Sequence, residues 1–216
     1  MNFISGIATY FKGGGPFMYV NLVVAIIVLA IAIDRFWVIS RASRLNVKKF
    51  GDDLEARLSR GDTAGALALC RGIATPEAFV AQEIISAPTP DPSVAESAAG
   101  LVLPPLTKRL GYLSLLSNVC TLLGLLGTIG GLTTAFSAVG AADPAHRSAF
   151  LAAGIAEALH TTSFGLLIAV PTLVIHSYLT SRVEGVMDQV DELSVRLLRV
   201  LERRAAGRIT GQGEAA

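Results

Sequence analysis

The chain has 216 residues, of which 52% are hydrophobic and only 16% are charged, and its mean hydropathy is +0.57. One soluble core of this size could not hide so much apolar surface, so the composition excludes an ordinary soluble domain and indicates an integral membrane protein. The formal net charge of +1 says little, whereas the positions of the Lys and Arg residues predict an orientation.

Three segments are long and apolar enough to cross a bilayer. They are the predicted transmembrane helices at residues 16–40, 110–142 and 157–181. In the third, the uncharged run from Ala158 to Ser181 covers about 36 Å at about 1.5 Å per residue, which exceeds a hydrocarbon core of about 30 Å. We therefore predict an all-α integral membrane protein with three transmembrane helices that extend into the cytoplasm.

The segments outside these helices are predicted from periodicity and turn residues. Residues 1–15 are expected to form a periplasmic interfacial helix, with a disordered tail as the alternative. They lack a signal-peptide pattern, so we expect the first helix to be retained. The other segments are a cytoplasmic helical loop (41–109), a short periplasmic loop (143–156), a cytoplasmic helix continuing the third span (182–206) and a flexible tail (207–216).

The distribution of basic residues predicts which side of the membrane each segment faces. Arg35, Arg41 and Arg44 closely follow the apolar run at residues 17–33 of the first span, whereas Lys12 is the one basic residue before it. Arg147 alone lies between the second and third spans, and a cluster of arginines follows the third. By the positive-inside rule the N-terminus is periplasmic and the C-terminus is cytoplasmic.

The polar residues do not favour soluble catalysis. Cys70 and Cys120 suit neither a disulfide nor a zinc site in their spacing and predicted compartments. No Ser-His-Asp set falls in one compartment, and the glycine-rich segment Gly124–Gly131 lacks the Lys-Ser/Thr ending of a phosphate loop. We predict a protein that is not an enzyme and has no cofactor and no metal site.

Small and hydroxyl-bearing residues recur on one face of the second and third spans. Steps of three and four residues place them together, and glycines at this spacing let helices approach closely. A single threonine in a spanning helix often bonds back to its own helix, but two matched faces favour a polar path instead. The residues concerned are Gly124, Gly127, Thr128 and Gly131 in the second span and Thr162 and Gly165 in the third.

Four further residues of the third span could take part in ion handling or alter the helix. Glu157 lies near its outer end, where a charge costs less than the roughly 2.5–3.5 kcal/mol expected at mid-membrane. Ion handling, a helix-end charge and a hydrogen bond to a neighbouring helix all remain possible roles. Pro171 removes one backbone donor from the helix. His160 and His176 lie about 24 Å apart along the helix, which excludes a direct proton relay between them.

The motifs Leu122–Thr128, Gly154–Leu159 and Thr162 followed by Gly165–Pro171 resemble those of the MotA/TolQ/ExbB proton-channel family. The three-span layout is similar to the ExbB and TolQ branch. The chain departs from the family pattern before the second-span glycines, where Val119–Leu122 replaces Ala-Pro-Leu. We also expect Pro104 and Pro105 to interrupt the approach to that span.

The resemblance implies a homopentameric helical bundle in the bacterial inner membrane around two copies of a single-span partner similar to ExbD, TolR or MotB. The membrane aspartate of that partner would carry the proton, and a third TonB-like, TolA-like or motility protein would receive the work. The implied proton-pathway residues are Thr128, Thr162 and Glu157, and the residues implied to set helix shape and packing are Gly124, Gly127, Gly131, Gly165 and Pro171.

Such a complex would couple the proton-motive force to TonB-type transport, Tol-type envelope maintenance or gliding motility. The lack of further oxygen-rich ligands favours protons over sodium as the coupling ion. A non-conducting membrane scaffold of an envelope complex is the alternative, because glycine faces alone would also support assembly.

Overall fold

The computed structural model describes residues 10, 11 and 13–213, with side chains through Ala206. These residues contain no strand. Most of the predicted interfacial helix at residues 1–15 lies outside them. The helices are α1 (Gly15–Ala42), α2 (Val47–Ser59), α3 (Thr63–Arg71), α4 (Pro76–Ser86), α5 (Pro92–Thr107), α6 (Leu110–Ala141) and α7 (Arg147–Gly213).

Three helical segments are long and apolar enough to cross a membrane: Gly15–Ser59, Pro92–Ala141 and Arg147–Ala206. The all-helical fold with three long apolar helices is thus confirmed, and it fits the predicted integral membrane protein. The third segment belongs to a single helix that begins at Arg147, ahead of the predicted membrane boundary at residue 157. The predicted compartments of the intervening segments stay predictions.

The chain divides into two compact units. The first unit comprises residues 1–34 and 109–178, and the second comprises residues 35–108 and 179–216. In the first unit, α6 buries a face of mostly small residues that includes Ser117, Cys120 and Gly124. In the second, apolar residues of α2, α3, α4, α5 and the end of α7 form one core, with Leu54, Leu58, Ala81, Ile84 and Leu197 among its most buried members.

Helix α5 lies within the segment predicted as a cytoplasmic helical loop (41–109), and it corrects the expectation that Pro104 and Pro105 interrupt the approach to the second span. The side chain of Asp91 accepts from the Ser93 N–H at 2.9 Å, and Pro92 stands in the first turn, where a proline loses no helical bond. The helix then continues through Pro104 and Pro105 to Thr107. The carbonyls that lose a donor belong to residues 100 and 101, which are both exposed.

The break before the second span lies instead at Arg109, which adopts a left-handed conformation with φ 68°. Within the second unit, the buried side chain of Arg35 donates to the carbonyls of Pro105 at 3.1 Å and Lys108 at 3.0 Å. A cation at these carbonyls stabilises the C-terminal end of α5. Arg35 therefore has a structural role in addition to its place in the predicted orientation signal.

The second unit also contains a buried carboxylate that the sequence did not single out. Glu77, in the first turn of α4, is 0% exposed, and neither carboxylate oxygen has a hydrogen-bond partner in the described structure. Burial raises the pKa of Glu77 above its usual value of 4.5, because desolvation penalises the charged form.

We expect Glu77 to make the protein less stable as the pH rises above about 4.5. Between its unfolded and folded pKa values, the folded state binds more protons than the unfolded chain. The free energy of unfolding therefore falls by about 1.4 kcal/mol for each unit by which the two pKa values differ. Glu77→Gln should remove this fall, as measured by thermal unfolding of the purified protein at several pH values.

The exposed Glu96 on α5 offers a matched control for this experiment. Glu96→Gln should keep the fall in stability with rising pH, because its carboxylate is not buried in a core. The same pH dependence in Glu77→Gln as in the unsubstituted protein would contradict the expected role of Glu77.

Candidate functional site

The candidate site lies in the first unit, where α6 and α7 pack at glycines. A Cβ atom added at Gly165 would lie 2.6 Å from the Cys120 carbonyl oxygen and 3.2 Å from the Gly124 Cα. A Cβ at Gly124 would lie 3.3 Å from the Thr162 Cα. Because these neighbours are backbone atoms, a side chain at 165 would force the two helices apart, and one at 124 would require a shift of a few tenths of an ångström. Glycine at both positions therefore favours this close approach.

A second close contact lies nearer the outer end predicted for these helices. A Cβ at Gly131 would lie 3.2 Å from both the Ala158 nitrogen and the Gly154 carbonyl oxygen. A Cβ at Gly154 would in turn overlap the side chain of Ala135. The glycine face of α6 therefore packs against small residues of α7 at two levels.

Two hydroxyl groups join these helices. Thr162 Oγ1 donates to the Gly124 carbonyl at 2.9 Å, and the buried Ser117 Oγ donates to the Ala169 carbonyl at 2.7 Å. Thr128 instead donates to the Leu125 carbonyl of its own helix at 2.6 Å. The structure therefore brings Thr162, Gly124 and Gly165 together, and it gives the Thr128 hydroxyl the back-bonding role considered as the alternative.

Thr161 is a site residue that the sequence reasoning missed. Its side chain is 1% exposed and its Oγ1 lies 2.6 Å from the Gly14 carbonyl and 3.0 Å from the Glu157 carbonyl. A Cβ at Gly127 would overlap this side chain. Thr161 therefore connects α7 to the turn before α1 and to α6. Nothing in the sequence indicated this role, because Thr161 is adjacent to Thr162, the threonine that matches the predicted polar face.

Glu157 lies on the side of α7 that faces the start of α1. Its Oε1 occupies the space that a Cβ at Gly15 would need, and Gly15 has φ +64°. A carboxylate is favourable at a helix N-terminus, where free N–H groups leave a partial positive charge. The structure does not bring Glu157 to the Thr162 and Gly124 contact, so the three proposed proton-pathway residues do not form one cluster within the chain.

Asn21 on α1 is a second polar residue that the sequence reasoning missed. It is 0% exposed, and neither its Oδ1 nor its Nδ2 has a hydrogen-bond partner in the described structure. Its Nδ2 lies 3.3 Å from the position of a Cβ at Gly165. The sequence signal that could have identified Asn21 was a polar amide within the apolar run of the first span. Because its side chain lies beside Gly165, Asn21 is part of the candidate site.

We expect Asn21→Leu to stabilise the folded protein. A buried polar group without a partner costs about 1–3 kcal/mol, and leucine replaces the amide with an apolar side chain of similar size. Thermal unfolding in detergent measures the change. A lower unfolding temperature for Asn21→Leu would show instead that the amide makes a stabilising interaction in the folded protein.

The remaining expected site residue, Pro171, lies on an exposed face of α7, and the helix continues through it. Before α1, the Tyr10 hydroxyl donates to the His160 carbonyl at 3.1 Å, and the Phe11 and Phe164 rings lie 5.0 Å apart. His160 is thus part of the packing between α7 and the segment before α1. In the part of the chain that the structure describes, no group of three or more His, Cys, Asp or Glu residues is placed to hold a metal.

Comparison with known sequences decides the family. The model of the MotA/TolQ/ExbB proton channel family matches residues 80–192, which include the whole of α6 and the contacts of Thr162 and Gly165. The chain belongs to this family. The resemblance seen in the motifs is therefore confirmed, and the family is one of channel-type membrane proteins associated with biopolymer transport.

Individual relatives support the same assignment. The chain is 26% identical over 196 residues to an ExbB homolog of Methanothermobacter thermautotrophicus, covering 88% of this chain and 69% of that protein. It is 32% identical over 103 residues to the Tol-Pal system protein TolQ of Haemophilus influenzae, covering 48% of this chain and 45% of TolQ. The biopolymer transport protein ExbB of Pseudomonas putida is 32% identical over 93 residues, covering 43% of this chain and 28% of that protein. The match thus covers less than half the length of the Haemophilus influenzae TolQ and the Pseudomonas putida ExbB.

Proposed function

We propose that this protein is the channel and stator subunit of a proton-driven motor in the bacterial inner membrane. It would assemble as a homopentamer around two copies of a single-span partner similar to ExbD, TolR or MotB. The observation that carries this proposal is the family match over residues 80–192, because it contains the glycine-packed α6 and α7 pair with its Thr162 to Gly124 hydrogen bond. We propose the N-terminus to be periplasmic and the C-terminus cytoplasmic, as the basic residues predict.

The chemistry of the spans supports a partner that supplies the proton carrier. Glu157 lies at a helix start beside Gly15, and the predicted third span has no other carboxylate. A carboxylate at mid-membrane is costly and is typical of proton-carrying sites. In the proposed mechanism the partner's aspartate fills this role, and α6 and α7 provide the surface along which it is protonated and released.

Thr162 and Thr128 can contribute to this surface through their acceptor lone pairs. Each hydroxyl already donates to a backbone carbonyl, Thr162 to Gly124 and Thr128 to Leu125. A hydroxyl that donates once still has lone pairs to accept a hydrogen bond from a protonated carboxylic acid. We propose that both threonines line the proton pathway, and that Glu157 acts near its outer end while holding the start of α1.

The names of the relatives indicate two possible kinds of load. TolQ is named for the Tol-Pal system and ExbB for biopolymer transport. We propose that this protein drives TonB-type transport or Tol-type envelope maintenance through a third partner, with gliding motility as a further possible load.

Native mass spectrometry of the gently extracted complex tests the assembly. The expected result is five copies of this chain with two single-span proteins that carry a membrane aspartate. Aspartate-to-asparagine substitution in that partner should then stop proton-driven work while the complex remains assembled. A monomer or dimer without any partner would contradict the proposal.

A non-conducting scaffold remains the second candidate, and the packing roles of the hydroxyls favour it. Ser117 and Thr162 both donate across the helix pair, which would serve assembly as well as conduction. The partner substitution separates the two functions, because a scaffold would keep working after its partner loses the aspartate.

A further inference from the structure

The second unit contains an open groove that the proposed motor mechanism does not use. Its volume is about 590 Å³, which lies within the range of about 300–1,000 Å³ for small-molecule sites. The end of α1, the α3–α4 connection, α4 and α5 form its walls. Its apolar lining includes Trp37, Ile73, Phe79, Leu101, Val102 and Leu106.

The polar side chains of the groove carry net positive charge. Arg41 and Arg71 line it together with Thr75 and Gln82, and no acidic residue does. Both arginines are exposed, and in the described structure neither makes a hydrogen bond or ion pair. A ligand that fits this chemistry has a long apolar part and an anionic group.

The position of the groove along α1 places it at the end of a predicted membrane span. Trp37 and Arg41 lie on α1 after its apolar stretch, and Trp37 is 70% exposed. Tryptophan and arginine at the end of a spanning helix are typical of the depth of the lipid headgroups. Leu101, another lining residue, is 66% exposed, so the apolar wall is open to an acyl chain.

We propose that this groove binds one anionic phospholipid per chain. The phosphate lies against the guanidinium groups of Arg41 and Arg71, and an acyl chain packs along Trp37, Phe79 and Leu101. A second copy of this chain is a weaker fit, because it would have to bring an apolar surface and a separate anionic group to the two unpaired arginines.

Native mass spectrometry of the full-length, delipidated protein tests this proposal with phosphatidylglycerol and phosphatidylcholine as probes. We expect phosphatidylglycerol to bind once per chain and to resist removal better than phosphatidylcholine. Arg41→Gln and Arg71→Gln should each weaken this binding about fivefold, as expected for loss of one cation near anionic lipid. Inorganic phosphate at the same concentration should not displace the lipid.

Two further variants keep the result interpretable. Gln82→Glu adds a carboxylate of similar shape to the groove and should weaken phosphatidylglycerol binding with both arginines intact. Arg60→Gln removes an exposed arginine that does not line the groove and should leave lipid binding unchanged. Equal binding of the two lipids, or unchanged binding in the groove variants, would overturn the proposal. A change in copy number without a change in lipid binding would show that a second copy of the chain occupies the groove.

Discussion

Gly165→Ala is expected to destabilise the folded protein by about 1–3 kcal/mol, the usual cost of adding a methyl group to a tightly packed site. The new Cβ would lie 2.6 Å from the Cys120 carbonyl oxygen and 3.2 Å from the Gly124 Cα. Neither backbone atom can move aside as a flexible side chain would, so α6 and α7 must separate. Thermal unfolding of the purified full-length protein in detergent measures this loss.

Gly185→Ala in the same helix is the matched control. No neighbouring heavy atom lies within 4 Å of a Cβ at Gly185. Alanine is a better helix former than glycine by about 1 kcal/mol, so this variant should be as stable as the unsubstituted protein or more stable. Equal unfolding temperatures for Gly165→Ala and Gly185→Ala would contradict the close approach of α6 and α7.

Thr162→Ala is expected to abolish proton-driven work while leaving the complex assembled. The substitution removes the 2.9 Å hydrogen bond to the Gly124 carbonyl and the lone pairs available to a partner's carboxylic acid. A hydrogen bond between membrane helices contributes about 0.6 kcal/mol on average and about 1.7 kcal/mol at most. That loss is too small to unfold a typical protein, so a complete loss of work would point to the hydroxyl's part in transduction.

Two variants separate this role from packing. Thr162→Ser keeps the hydroxyl and should retain work, whereas Thr133→Ala removes an exposed hydroxyl of α6 that bonds to the Ile129 carbonyl of its own helix and should have little effect. Work is measured as transport or envelope function that depends on the proton-motive force, with copy number checked by native mass spectrometry. Undiminished work in an assembled Thr162→Ala complex would count against the proposed pathway.

The two proposals fail in different ways. Loss of phosphatidylglycerol binding in the groove variants would not by itself alter the Thr162 contact, since the arginines and Thr162 lie in different units of the chain. Conversely, the lipid proposal is tested only by phosphatidylglycerol binding, and its outcome does not depend on the identity of the partner or the load.

Local properties of the sequence predicted the general architecture. An apolar run long enough to cross a bilayer is a property of consecutive residues, so three such helices could be predicted without knowing how they pack. The recurrence of Gly124, Gly127 and Gly131 at helical spacing likewise predicted close packing. The family motifs could also be recognised from the sequence, because each is a short stretch of neighbouring residues.

The start of α5 was also encoded by adjacent residues, the N-cap Asp91 and Pro92 in the first turn. Pro104 and Pro105 nevertheless led us to expect an interruption in this segment. A proline inside a helix removes a single donor, and the cost depends on whether the freed carbonyl is exposed. Exposure is set by neighbouring helices. The sequence therefore could not place the break at Arg109, where Arg35 from a distant part of the chain binds the last carbonyls of α5.

The partners of individual polar groups were decided only by the tertiary structure. Periodicity gives the face of a helix but not the neighbour opposite it, so the sequence could not tell that Thr162 bonds across to Gly124 while Thr128 bonds to its own helix. It also could not show that Asn21 and Glu77 are fully buried. The sequence by itself determined the membrane helices and the small-residue faces, because these depend on residues close together in the chain. The tertiary structure decided which of those faces meet, because burial and hydrogen bonding depend on residues far apart in the sequence.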